Sequence, residues 1–152
     1  MNNSALGSTF EISLRILLLL NEVHGTSLDE QQIGAVDFIS VYAADFDLLD
    51  ENLHGYSNYR FSEYPARKRL VSSAIKGLLL DGNVRFQMAP TGYKYSITEA
   101  GKSICKKLTS NYADEYRIAV QTVIKSFDNA NAELMLREIN RLTIQSLEGG
   151  QA

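Results

Sequence analysis

From Leu70 onward the chain sets apolar residues at Leu70, Val71, Ala74, Ile75, Leu78 and Leu79. Pairs recurring every four residues make one apolar face of a helix. Pro65 suits the first turn of that helix, where a missing N–H costs no helical hydrogen bond. Asp81-Gly82 ends it, because glycine tolerates the left-handed backbone of a helix exit. The period then changes to two. Val84, Phe86 and Met88 fall on one side and Arg85 and Gln87 on the other. Tyr93, Tyr95 and Ile97 likewise oppose Lys94 and Ser96. Ala89-Pro90-Thr91-Gly92 supplies the turn between the two strands. Thr98-Glu99-Ala100-Gly101 opens a further helix with Thr98 as its N-cap. Residues 64–102 therefore read as helix, tight turn, strand, turn, strand, capped helix, the order found in the second half of a winged-helix domain.

Upstream, residues 10–23 predict a helix with Ile12, Ile16, Leu19 and Val23 on one stripe and His24-Gly25 as its exit. Residues 28–43 predict another, with Ile33, Val36, Phe38, Ile39 and Tyr42 toward the core. Ser27 is its expected cap, and Glu30 completes a capping box. Residues 44–63 are irregular, yet Tyr56, Tyr59, Phe61 and the following Tyr64 imply that they pack on something. Downstream, a single long helix is expected over residues 99–127, with Ile104, Leu108, Tyr112, Tyr116, Ala119, Val123 and Phe127 on its apolar face. Asp128-Asn129 interrupts it. A last amphipathic helix follows over residues 133–147, and the tail from Gly149 is expected to fray. The fold class is mainly α with a small β-hairpin, a winged helix-turn-helix domain with extra C-terminal helices. The expected division is residues 1–127 for the winged-helix domain and 128–152 for the C-terminal helix and tail. The last two helices exceed a minimal winged helix and are candidates for oligomer or partner contacts.

A length of 152 residues, 45% hydrophobic and 22% charged, fits one ordinary globular domain. The apolar run from Ile16 to Leu20 is too short to span a bilayer. The start, MNNSALGSTFE, has no basic segment ahead of an apolar core, so no signal peptide is expected. The lone Cys105 excludes an internal disulfide framework and fits a reducing cytoplasm. The net charge of −3 conceals a polarised distribution: residues 1–59 carry −8, residues 60–94 carry +5, and the remainder balance. Overall acidity argues against nonspecific coating of nucleic acid, while the basic centre permits a local contact with a few phosphates or with an acidic protein surface.

Within that centre, Arg67-Lys68-Arg69 stand in the first turn of their helix, where cations oppose the macrodipole. Lys76, Arg85 and Lys94 continue the positive charge into the hairpin. Lys68, Arg69, Lys76, Arg85 and Lys94 are candidates for contact with DNA or an acidic protein surface, with an ordinary solvated face as the third reading. His54, Tyr56, Tyr59, Arg60, Phe61, Tyr64 and Arg67 cluster aromatic side chains with arginine, the types enriched where protein interfaces hold their energy. They are the candidate partner interface; closing a core or stacking on bases are the other uses of such a segment.

Several chemical motifs fail on inspection. Gly101-Lys102-Ser103 lacks the earlier glycine of a phosphate loop, since Ser96 stands there. The acids Asp45, Asp47, Asp50 and Glu51 place Asp50 where a calcium loop needs glycine, and read as helix-end or solvent-facing charge. His24, His54 and Cys105 lack metal-site spacing, and Cys105 reads as a packed thiol. No lysine is preceded two residues earlier by an acid, as a restriction-type nuclease requires. No catalytic residue, cofactor or metal ligand is assigned, and the chain is not expected to be an enzyme.

The segments FEISLRILLLLNEV, DFISVYAADFDLLDENLHGYSNYRFSEYPARKRLVSSAIKGLLLDG, YSITEAGKSICKKL and SNYADEYR resemble the type-two middle component of bacterial ABC-three-component systems. That family is similar to the small third subunit of Lamassu-type defence systems. The resemblance runs from about Leu6 to Phe127; LLDENLHGY-x-x-YRFSEYPAR is its most specific part, whereas TEAGK occurs in many winged-helix proteins. It implies a non-catalytic cytoplasmic accessory subunit, linking an SMC-like ABC ATPase to an effector, often a nuclease, in an antiphage or antiplasmid complex. It also implies a candidate DNA contact within that complex, and no membrane. The alternative is a stand-alone winged-helix DNA-binding transcriptional regulator, which would bind as a dimer with steep salt dependence.

Overall fold

A computed structural model describes residues 8–23 and 26–149. The start of the chain, the helix exit expected at His24-Gly25 and the tail beyond Gly149 lie outside them. The described residues form α1 (Thr9–Glu22), α2 (Glu30–Val41), two short 3-10 turns (Ala43–Phe46 and Arg60–Ser62), and α3 (Glu63–Leu80). Strands β1 (Val84–Ala89) and β2 (Gly92–Ile97) follow, then α4 (Glu99–Lys107), α5 (Asn111–Ser126) and α6 (Ala132–Gly149). The protein is mainly helical with one antiparallel two-stranded hairpin.

α1 is the central element. It packs on α2, α3, α4 and α5, so Ile12 and every residue from Arg15 to Leu20 are buried rather than a single stripe. Ser8 caps it through a capping box with Glu11, Ser8 Oγ accepting from the Glu11 N–H at 3.1 Å. α2 is buried almost as completely, from Ala35 to Val41. Phe38 sits at the centre of an aromatic cluster, with ring centroids of Tyr42, Phe61 and Tyr64 at 5.2, 5.9 and 5.1 Å. α6 returns across α2, and its Met135, Ile139 and Leu142 join the same apolar core.

Two helix boundaries differ from the sequence expectation. α2 is capped by Asp29 with Gln32, not by Ser27 with Glu30. The Gln32 N–H donates to Asp29 Oδ1 at 2.7 Å and the Asp29 N–H to Gln32 Oε1 at 3.0 Å. The reason lies one residue upstream: Leu28 bridges to Tyr95, its N–H donating to the Tyr95 carbonyl at 3.0 Å and its carbonyl accepting from the Tyr95 N–H at 2.7 Å. That extended conformation forbids an earlier helix start. The long helix expected over residues 99–127 is two helices. Leu108 is extended, and Ser110 caps α5 by accepting from the Ala113 N–H at 3.1 Å.

The hairpin has the expected register, Val84 facing Ile97, Phe86 facing Tyr95 and Met88 facing Tyr93, around a turn shortened to Pro90-Thr91. Its apolar face is only half covered. Val84, Tyr95 and Ile97 are buried at the base, but Phe86, Met88 and Tyr93 are 54%, 76% and 52% exposed, because the strands run on beyond the helical body. Gly82 exits α3 with φ +77, and Thr98 caps α4 by accepting from the Gly101 N–H at 3.2 Å. Gly101 is buried where α4 meets the hairpin base. A Cβ there would collide with the Asn83 carbonyl and with Ile97 Cγ1 at 2.7 Å.

Candidate functional site

The segment from Ala44 to Ser62 is knitted together by its own polar side chains. Asn52 is the hub: its Oδ1 accepts from the N–H groups of Ala44 (2.8 Å) and Asp45 (3.3 Å), and its Nδ2 donates to Asp45 Oδ2 and to the Gly55 carbonyl, both at 2.9 Å. Arg60 closes the loop with a two-pronged pair to Asp45, Nε to Oδ2 at 2.6 Å and Nη2 to Oδ1 at 3.0 Å. Asp45 is thus an internal partner of Arg60 rather than a solvent-facing charge. The Arg60 guanidinium lies over the rings of Tyr56 and Phe61, 5.8 and 5.2 Å from their centroids. Tyr56 donates its hydroxyl proton to Glu51 at 2.8 Å while accepting from the Asn52 N–H. Tyr59 projects furthest, 76% exposed. An open cleft of about 820 Å³ separates Tyr59, Arg60 and Phe61 from Leu142, Ser146 and Leu147 of α6.

The seven candidate interface residues therefore divide. Tyr56 and Tyr59 are exposed, and Arg60 and His54 are half-buried. Phe61 and Tyr64 belong to the aromatic core, which removes them from the surface. Arg67, assigned to that surface from the sequence, is 2% exposed. It turns inward because a buried carboxylate on α2 requires a counter-charge.

That carboxylate is Asp37. Arg15 of α1 grips it with Nε on Oδ1 at 2.8 Å and Nη2 on Oδ2 at 3.0 Å. Arg67 Nη1 reaches Oδ2 at 3.3 Å, and the Tyr116 hydroxyl donates to Oδ1 at 2.6 Å. Arg67 also reaches Glu63 Oε1 (3.4 Å) and His54 Nδ1 (3.3 Å); Glu63 accepts from Tyr42 (2.8 Å), and His54 Nε2 lies 2.7 Å from the Tyr112 hydroxyl. Burial alone would raise the Asp37 pKa, but Arg15, then Arg67 and Tyr116, outweigh it and hold the carboxyl far below its ordinary range. Burial, then the Arg15 and Arg67 charges, push His54 down to about 4, so the imidazole is neutral. The network ties α1, α2, α3 and α5 together through charge. Its His54–Tyr112 end borders a cavity of about 370 Å³ that Arg15, Glu11 and Leu108 also line.

Arg15 and Asp37 escaped the sequence reading, although each is a lone charge inside an otherwise apolar helical run. Of the five candidate cation contacts, Lys68, Arg69, Lys76 and Arg85 are exposed and Lys94 is half-buried. Lys68 Nζ stands 5.2 Å from the Tyr64 ring centroid. Burial of Cys105 pushes its thiol up to about 11, as befits a packed rather than reactive group. Among the described residues no cluster of three or more His, Cys, Asp or Glu is placed to hold a metal ion, and no helix is long and apolar enough to cross a membrane.

A family model describing the ABC-three component system Middle Component 2 matches residues 5–149. The chain belongs to this family. The match includes α6, so the likeness extends past Phe127, where the recognisable motifs stop. Comparison of this middle component with curated proteins and with solved structures finds no match.

Proposed function

We propose that this middle component is a non-catalytic assembly subunit, joining an SMC-like ABC ATPase to an effector such as a nuclease within a cytoplasmic antiphage or antiplasmid complex. Membership of the middle-component family over nearly the whole chain carries the reading. The order α1, Leu28–Tyr95 bridge, α2, α3, hairpin supports a winged-helix core with added C-terminal helices. The contact surface for a partner is the rim of the cleft between the Asn52-centred loop and α6, with Tyr59 at its centre and Tyr56 and Arg60 beside it. Its loop is held by internal hydrogen bonds, so little ordering is required on binding. The exposed cations Lys68, Arg69 and Lys76 are offered to DNA within the assembled complex.

Tyr59→Ala is the clean test, because only its backbone atoms are hydrogen-bonded within the segment. The isolated variant keeps its helical circular dichroism, while co-purification with the other components of its system drops, by roughly 2 kcal/mol or more if Tyr59 is a hot spot. A folded variant that assembles normally rules out this rim. Tight, salt-sensitive duplex binding by the protein alone, with no partner, favours a stand-alone DNA-binding regulator instead.

A further inference from the structure

The two hydrogen bonds joining Leu28 to Tyr95 fix the direction of every backbone group in the hairpin. Both polar groups of Tyr95 point away from β1, so the facing pair Phe86–Tyr95 is one that exchanges no bonds across the hairpin. The N–H and carbonyl of Phe86 consequently point outward from β1, and alternation gives Met88 the same direction. Among the described residues nothing outside the hairpin bonds to either. β1 is thus an open edge, and the side chains at that edge are exposed apolar ones, Phe86 and Met88, with Tyr93 beside them across the ladder. The Phe86 and Tyr93 rings meet edge to face with centroids 5.2 Å apart. Arg85 and Lys94 lie on the opposite face. Protected edges carry charge, proline or a covering element; at Phe86 and Met88 this edge has none of these.

We propose that β1 accepts an extended segment of another component of the system, adding it as a third strand. The segment alternates apolar residues, which cover Phe86 and Met88, with acidic ones on the face bearing Arg85 and Lys94. Charge decides between a strand of this kind and a second copy of the chain: two hairpins joined through β1 put both Arg85 side chains on one face of the joined sheet, each with Lys94 behind it on β2 and no acid between them. DNA would satisfy the cations but leave the outward N–H groups and the apolar side chains without matching partners. This surface rests on the assembly reading and is separate from the Tyr59 rim.

The test compares amide hydrogen exchange in the protein alone and in the complex purified with the other components. Phe86 and Met88 amides exchange freely alone and slow by roughly tenfold or more in the complex, whereas Arg85 and Gln87, bonded to β2, are protected in both. Met88→Pro removes an outward donor without touching the hairpin ladder and should weaken the complex by about tenfold, while Met88→Leu leaves it unchanged. If the proline variant loses protection at Gln87, Arg85→Glu with Lys94→Glu replaces it and should weaken assembly. Phe86 and Met88 amides that stay unprotected in an intact complex overturn this surface alone. So does protection by duplex DNA in the absence of other components. Failure to form any complex overturns the assembly reading and this surface with it.

Discussion

Asp37→Asn removes one negative charge from the interior without changing its volume. In the native protein Asp37 accepts four side-chain hydrogen bonds, two from Arg15, one from Arg67 and one from Tyr116. Asparagine keeps one accepting oxygen. Its NH2 group then faces an arginine N–H, donor against donor. Arg15, 4% exposed, loses its carboxylate partner, and the one carboxylate left to Arg67 is Glu63, at a longer distance, beside the neutral His54. Breaking a buried pair by removing one partner costs about 3–5 kcal/mol. That is a large part of the roughly 5–15 kcal/mol by which domains are stable. With a urea dependence near 2 kcal/mol per molar, the unfolding midpoint should fall by about 2 M. Urea titration followed by circular dichroism measures it. Arg15→Met supplies the cycle: the double variant should be less destabilised than the two single effects added, because each has already broken the same pair. A midpoint shift below about 0.5 M for Asp37→Asn, or strict additivity in the double variant, refutes the claim that this ion cluster braces the helices.

Stability should also fall in mildly acid solution through His54. Its folded pKa of about 4 lies below the ordinary value of about 6.5, so the unfolded chain takes the proton first. The contribution is complete above about pH 6.5 and is lost as pH falls toward 4; His54→Gln should flatten urea midpoints across that window, and equal slopes in both proteins contradict it. Gly101→Ala should destabilise by about 1–3 kcal/mol, despite alanine's better helix propensity, because its Cβ meets the Asn83 carbonyl and Ile97. A melting temperature equal to or above that of the parent protein would argue that the contact relaxes freely.

Local signals were the legible ones. α3, its Gly82 exit, the hairpin register and the Thr98 cap all depend on residues close in sequence, and they stand where the pattern put them. The break between α4 and α5 was hidden because Ile104, Leu108, Tyr112 and Tyr116 keep a four-residue spacing across it. The polar run Thr109-Ser110-Asn111 was the better guide. Burial of Arg67 could not be read from α3 alone, since its partner is thirty residues away on α2 and surrounded there by apolar neighbours. The exposed end of the hairpin was equally invisible: alternation gives each strand two faces but does not say where the helical body beneath one of them ends.

The turn between α5 and α6 places Asp128, Asn129 and Ala130 in succession at φ +53, +62 and +59. Left-handed backbone costs roughly 1–2 kcal/mol for a residue with a side chain, somewhat less for Asp and Asn. The turn is held from both ends, by the Ile124 and Phe127 carbonyls on one side and by Gln32, which donates to the Ala130 carbonyl at 2.9 Å, on the other. α6 is therefore reached through a turn that is itself unfavourable. Burial of Met135, Ile139 and Leu142 against α2 offsets the cost of that turn. The α6 wall of the Tyr59 cleft is accordingly held in place by apolar burial on α2 and not by the turn that leads into it.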